Sequence, residues 1–387
     1  MTGKIGNKEV PTGSVRVVIV GGGIGGLAAA LALQSTGADV SVYEQAAQLG
    51  EVGAGVGLFP NSMRVLQRLG VADEVARHAA PGNEFCWLRR DGSVVGHQIA
   101  GDDGFFTLLG MYRPDLIATL AAALPDGVLH TGHRCAAFSQ DDHSALVAFG
   151  NGVTVEADVV VAADGIHSTL QRHVVEPQPP VFSGVVAYRG VVPAARVPDW
   201  PWPNALVNWG GQGKHFMVFP LRAGELLTYV GFVPADEQMR ESWSAPGEPV
   251  VLAAEFAGWD PWVSRLLSQV ETTSRLGLYD RDPLPRWTQG RLTLLGDAAH
   301  PMLPHMGQGA NQAIEDGMAL ATLIRGVNAA DIPDALIRYQ ELRCDHTAQV
   351  QQGSRANGLL ADSGQLVTIG QPGVQDYDVE AEAIARR

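Results

Sequence analysis

VRVVIVGGGIGGLAAALAL, residues 15–33, decides the fold of this 387-residue chain. The apolar run 15–20 fits a parallel strand covered on both faces, and residues 27–34 are helix formers. Between them Gly21-x-Gly23-x-x-Gly26 places three glycines directly after a strand and at the opening of a helix. Gly21 permits the tight turn, Gly23 lets a pyrophosphate approach backbone N–H groups, and Gly26 lets helix and strand pack closely. Residues 40–43 read as the second parallel strand, closing a βαβ unit with a right-handed crossover. Glu44 follows at about the 20-residue spacing at which a carboxylate accepts ribose hydroxyls. The pattern serves NAD and FAD equally.

Working outward, NSMRVLQRL (61–69) reads as a helix opened by an Asn cap, and PDLIATLAAA (114–123) as one with proline in its first turn. DVVVAA (158–163) is a buried strand ending at Asp164-Gly165. From 177 to 274 the texture turns to proline, tryptophan and alternating segments, among them VVAYRGVV, HFMVFPL and LLTYVGFV, which read as antiparallel strands. RLTLL (291–295) returns to the buried-strand pattern, residues 312–325 form a strong helix, and the chain after Gln365 is too mixed to assign.

Composition narrows the partners. A formal net charge of -14 argues against nucleic acid or anionic lipid. Three widely spaced cysteines without C-x-x-C spacing suggest neither a disulfide framework nor a metal site, and a reducing cytoplasm fits. The first 14 residues form a polar leader without the apolar stretch of a secretion signal. No apolar run approaches the roughly 20 residues of a membrane-spanning helix.

LLGDAAHPMLPHMGQGANQAIEDG (294–317) separates the two nucleotides. An aspartate at a strand end, Asp297, precedes a glycine-rich loop and a helix N-terminus whose free donors suit the pyrimidine oxygen of a reduced flavin. A nicotinamide dehydrogenase needs no such second cradle. With Gly21 to Gly26, Asp164-Gly165 in AADGIHSTLQR and Gly296-Asp297 in this order, the chain resembles the single-component flavoprotein aromatic hydroxylases from about residue 15 to about 358.

That resemblance implies an α/β fold like that of para-hydroxybenzoate hydroxylase. A Rossmann-like FAD-binding domain (15–75, 101–176 and 275–360) would carry an inserted antiparallel substrate-binding sheet domain (76–100 and 177–274) and a C-terminal tail (361–387). It implies non-covalent FAD, with NADH or NADPH visiting as co-substrate without a Rossmann domain of its own. Gly21, Gly23 and Gly26 would face the pyrophosphate and Glu44 the adenosine ribose. Arg113 in MYRPDL would lie near the phosphates and ribityl chain, and Asp297 on the ribityl side. Asp164 would serve FAD and the pyridine nucleotide, and Gly307, Gln308, Gly309, Ala310 and Asn311 would line the flavin ring. GEVGAGVGLFPN (50–61), FSGVVAYRG (182–190), KHFMVFPL (214–221) and HPMLPHMGQGA (300–310) resemble the salicylate hydroxylase branch and its relatives acting on 3-hydroxybenzoate and 6-hydroxynicotinate.

In such a hydroxylase the reduced flavin forms an electrophilic hydroperoxide, and a base beside a phenol makes the ring more nucleophilic. His215 matches the base proposed in these relatives, and an imidazole suits the task. Some relatives have tyrosine four residues later, where this chain has Phe219; on a strand the two share a face. His305 could orient a substrate carboxylate or phenol, His300 supports the loop, and Arg189 could supply positive charge. Met217, Trp209 and Met302 are pocket-lining or core residues. The expectation is therefore a cytoplasmic, monomeric or homodimeric monooxygenase using O2 and NAD(P)H on a phenolic aromatic acid. Salicylate to catechol with decarboxylation comes first. The alternatives are 3-hydroxybenzoate, 6-hydroxynicotinate or another ring, or an FAD oxidase independent of NAD(P)H.

Overall fold

The computed structural model describes residues 14–50, 54–100, 108–176, 178–235, 245–367 and 373–387. The expected leader up to residue 13, residues 51–53 of the GEVGAGVGLFPN stretch and the expected unit boundaries at 101 and 177 lie outside them.

The architecture is α/β, with a parallel sheet, antiparallel sheets and C-terminal helices. A six-stranded sheet runs in the order Thr288–Gln289, Leu292–Leu294, Val159–Ala162, Arg16–Val20, Asp39–Tyr43, Leu129–His130. Its strands are parallel except the short edge strand Thr288–Gln289. The helices Ile24–Gln34 and Gly309–Ile324 and a three-stranded meander (Cys135–Gln140, Ala145–Phe149, Thr154–Ala157) join its core, which explains the unbroken apolar runs. Ala28, Ala29, Ala30 and Ala32, all fully buried, keep the first helix thin enough for Gly309–Ile324 to lie against it.

An eight-stranded sheet forms the second layer, in the order Pro246–Gly247, Thr273–Asp280, Val181–Pro193, Leu226–Pro234, Lys214–Leu221, Ala205–Gly211, Glu84–Arg89, Val94–Ile99. All its pairings are antiparallel except that of Ala205–Gly211 with Glu84–Arg89. The strand Thr273–Asp280 straddles the expected boundary at 274/275. Alternation gives this sheet two jobs. Phe216, Val218, Tyr229 and Trp209 pack under the helices Pro249–Glu255 and Pro261–Leu267, while His215, Met217 and Phe219 face a cavity between the two layers. A small sheet of Gly55–Leu58, Leu108–Tyr112 and Ala80–Gly82 lies beside it.

The 31-residue helix Ile332–Asp362 spans both layers, packing on Gly309–Ile324 and reaching the strand Ala205–Gly211. At its end the Gly213 N–H donates to the Asp362 carbonyl at 3.0 Å. Two local readings differ from expectation. The helix Pro60–Arg68 begins at Pro60, and Asn61 lies inside it with its side chain spent on buried partners rather than on a cap. Beyond residue 365 the chain forms a short helix, Val379–Ile384, capped by the Asp378 side chain. Among the described residues no helix is long and apolar enough to cross a membrane.

Candidate functional site

One cavity of about 770 Å³ extends from the glycine turn to the face of the eight-stranded sheet. At its nucleotide end the three glycines do different things. Gly21 has φ +113°, and a Cβ there would lie 2.2 Å from the Ala163 carbonyl oxygen. A Cβ on Gly26 would lie 2.0 Å from the Gly21 carbonyl oxygen, so these two positions let chain segments touch. Gly23 caps the helix Ile24–Gln34 and has nothing within 4 Å of a Cβ position. That open floor below a helix N-terminus is where a phosphate can meet free N–H donors. Glu44 is clamped beside it, accepting from the Gly22 and Ala46 N–H groups at 2.7 Å each.

Arg113 opens the helix Arg113–Ala122 and lines the same cavity with Asp164 and Asp297. Burial raises the carboxyl of Asp164, partly offset by hydrogen bonds from Ser168 and Thr169, and its Oδ1 is buried without a partner among the described residues. Burial likewise raises Asp297 against the opposing pull of His300 and Arg113. An open helix N-terminus, a fixed carboxylate and two half-buried acids are the donor and acceptor set that a dinucleotide with ribose and ribityl hydroxyls requires. The chain's residues fit FAD.

Gly309 and Ala310 line the cavity at the start of the helix Gly309–Ile324. Asn311, expected beside the flavin ring, does not: it is fully buried behind that wall, with its side chain turned to protein partners. Its Oδ1 accepts from the Phe59 N–H at 2.9 Å and the Ser62 hydroxyl at 2.5 Å, and its Nδ2 donates to the Gly57 and Gly307 carbonyls. Its side chain staples two loops together. One turn on lies a buried charge network that sequence reading did not identify. Arg343 donates to Glu315 Oε2 and Asp316 Oδ1 at 2.8 Å each and to Gln312 Oε1 at 2.7 Å. Asp316 Oδ2 in turn accepts from His300 Nε2 at 2.6 Å and from the Gly296 N–H at 3.0 Å. Burial would raise Asp316, but His300 and Arg343 outweigh it and hold the group down at about 2. An acidic pair inside an otherwise apolar helix is the signal that a buried cation had to exist.

At the end against the eight-stranded sheet His215, Met217 and Phe219 line the cavity from one strand, with Asn208 from the adjacent strand and Arg189 from the strand two places away on the other side. His215 is buried, stacks on Phe232 with ring centroids 4.0 Å apart, and has Nδ1 2.7 Å from Asp362 Oδ1. Burial lowers its pKa while Asp362 pulls it up. His305 lies with its ring centroid 5.2 Å from that of His215; burial and His215 hold it down at about 3. The structure thus brings His215, His305, Arg189, Met217 and Phe219 to one cavity, with Met302 also on its wall. Trp209 is on the other face of the sheet, its Nε1 donating to Asp260 at 2.8 Å, and is core. Its neighbour Asn208 takes the cavity position. Both follow from period-two alternation counted from His215, since Asn208 pairs with Met217 across the ladder.

Residues 14–354 match the family model of the FAD binding domain. The chain is 38% identical over 348 residues to a 3-amino-4-hydroxybenzoate 2-monooxygenase of Streptomyces platensis, covering 89% of this chain and 87% of that protein. It is 35% identical to a 6-hydroxynicotinate 3-monooxygenase of Bordetella bronchiseptica, covering 90% and 92%. A salicylate hydroxylase substrate complex superposes with a TM-score of 0.84 at 28% identity, covering 97% of this chain and 98% of that one.

Proposed function

The chain belongs to the FAD-dependent aromatic monooxygenases, and on that premise we propose that it hydroxylates a single-ring aromatic acid bearing a hydroxyl group, with His215 as base and NADH or NADPH as electron donor. The observation that carries the reading is His215 itself, a buried imidazole on the cavity wall with one nitrogen already engaged and its pKa lowered by burial. Gly23, Glu44, Arg113, Asp164, Asp297, Gly309 and Ala310 would hold FAD, with Gly21 and Gly26 shaping the turn. When bound, FAD supplies electron storage and the activation of O2.

The chain's own part is binding and proton handling. Nδ1 of His215 faces Asp362, which leaves the Nε2 lone pair to take the proton of the substrate hydroxyl. The O–H bond breaks, an N–H bond forms, and the ring gains the electron density that an electrophilic oxygen attacks. His305, neutral down to about pH 3, can hydrogen-bond the ring substituents without competing for that proton. Met217 and Phe219 keep water from the ring, and Arg189 is the candidate for the substrate carboxylate.

Phe219 and the motif stretches support salicylate, giving catechol with loss of carbon dioxide. A second reading is favoured by the two relatives above, whose named substrates both carry hydroxyl para to carboxylate. The division into a nucleotide unit and an inserted sheet unit, and a cytoplasmic site where NAD(P)H is available, belong to the same proposal.

The test is oxidation of NADH and of NADPH by FAD-loaded protein with salicylate, 3-hydroxybenzoate, 6-hydroxynicotinate or 3-amino-4-hydroxybenzoate, with products identified by chromatography. Salicylate-stimulated oxidation yielding catechol supports the first reading, and stimulation by a para-hydroxy acid the second. His215→Ala should lower kcat by about 10²–10⁴-fold with FAD content unchanged. Hydroxylation surviving that change would remove His215 as the base.

A further inference from the structure

We infer that Asp362, the last residue of the long helix, is the positioning residue for His215. It fixes the tautomer and the ring orientation that leave Nε2 as the proton acceptor. The inference rests on the reading of His215 as base and adds a partner 147 positions away in sequence.

The geometry selects one tautomer. Asp362 Oδ1 lies 2.7 Å from His215 Nδ1, and an ionised carboxylate only accepts hydrogen bonds, so Nδ1 must carry the proton in that contact. In the neutral ring Nε2 is then unprotonated. Phe232 stacks on the imidazole with planes 17° apart, which limits rotation about the last torsion. The backbone that carries the carboxylate is held in place, because the Gly213 N–H bonds the Asp362 carbonyl and the adjoining Ala361 forms part of the cavity wall.

Asp362 also acts after the proton arrives. When Nε2 takes it, the imidazolium is buried, and a buried charge without a partner is strongly disfavoured. Asp362 supplies the opposite charge on the far side of the ring. The titratable group facing His215 from the loop side, His305, is neutral at working pH and offers no such compensation. The strands flanking His215 present Gly210 and Phe232 beside it, neither of which titrates. Lys214, next in sequence, pairs with Glu255 at 2.5 Å and belongs to a different contact.

An acidic side chain at a helix C-terminus is also locally disfavoured by the helix dipole. The hydrogen bond with His215 Nδ1 is what this structure shows in return.

The experiment compares wild type with Asp362→Asn, Asp362→Glu and His215→Ala as FAD-loaded proteins. It measures the pH profile of kcat/KM for the best substrate of the panel and the 15N shifts of histidine-labelled protein. Asp362→Asn should retain FAD and KM within about threefold and lose kcat by tenfold or more. The acid limb of its profile should move to lower pH, since the carboxylate that favours the imidazolium is gone. Asp362→Glu should recover part of kcat. In wild type the His215 signals should report a protonated Nδ1 and an unprotonated Nε2. A merely structural Asp362 would lower FAD content or stability while leaving the acid limb and the tautomer in place, and that result overturns the inference. If Asp362→Asn is silent while His215→Ala is inactive, the base stands and only the positioning role falls. If His215→Ala remains active, the base reading falls and takes this inference with it.

Discussion

At the nucleotide end of the cavity Gly21, Gly23 and Gly26 lie within six consecutive residues, and what they contribute is backbone. At the sheet end His215 comes from a sheet strand, His305 from a loop and Asp362 from the end of a long helix, and what they contribute is side chain. The first end needs absence of atoms, the second needs presence of particular ones. Substitution should therefore fail differently at the two ends, through folding at one and through turnover at the other.

The largest expected effect lies where backbone meets backbone. Gly26→Ala would put a Cβ 2.0 Å from the Gly21 carbonyl, a contact that no rotamer relieves. A loss of about 3 kcal/mol or more is expected, at or beyond the top of the usual range for overpacking, with little soluble holoprotein. Gly23→Ala meets open space and should cost only about 1 kcal/mol, from a poorer helix cap, while FAD binding weakens strongly. Thermal melts of the apoproteins together with FAD titration separate the two. Equal apoprotein destabilisation by both changes would break the distinction between a packing glycine and a binding one.

Between the two ends lies the network of Arg343, Glu315, Asp316 and His300, which ties the flavin-side helix to the Gly296 turn. Arg343→Met takes the cation away from two buried acids, Asp316 and Glu315, the latter already raised by burial to about 7, and should cost about 3–5 kcal/mol. The folded value of Asp316, about 2, lies below that of an unfolded aspartate near 4, so its contribution is present above about pH 4 and lost as pH falls toward 2. Without Arg343 that loss should begin at higher pH, visible as an earlier fall in the urea midpoint. An unchanged acid limb of stability would assign the effect on Asp316 to His300 alone.

The same contrast explains how much could be read in advance. The α/β class, the βαβ unit and the order of the three nucleotide motifs were legible because each is a local pattern of spacing and period. His215, Met217 and Phe219 were legible as one face of one strand. Asp362 was not, because no local pattern links a helix end to a strand 147 positions earlier. Arg343 was missed for the same reason, although the Glu315-Asp316 pair in an apolar helix called for a cation. Asn61 misled in the other direction: the residue type suits a cap, but Pro60 starts the helix and Asn61 is drawn inward by Gln308 and Glu315. Trp209 was ambiguous only until the phase of alternation was fixed, after which its neighbour Asn208 takes the cavity side.

His305→Gln should have the smallest effect and gives the sharpest view of the side-chain end. Burial and the nearby His215 hold His305 at about 3, well below an unfolded histidine near 6.5. Between those values the unfolded chain binds a proton that the native chain refuses, so this group costs stability as pH falls through 6.5. Glutamine has no such titration, so the variant should lose less stability than wild type between pH 8 and pH 5 in urea unfolding. Its turnover at pH 8 should stay within about tenfold, and the acid limb of kcat/KM should not move, because that limb belongs to His215. The two measurements pull apart what sharing one cavity wall does not: on the proposed reading His305 shapes the pocket and His215 handles the proton. A limb that shifts or vanishes in His305→Gln would mean that the two rings titrate as one unit. The base would then be the pair, and Asp362 would be acting on both.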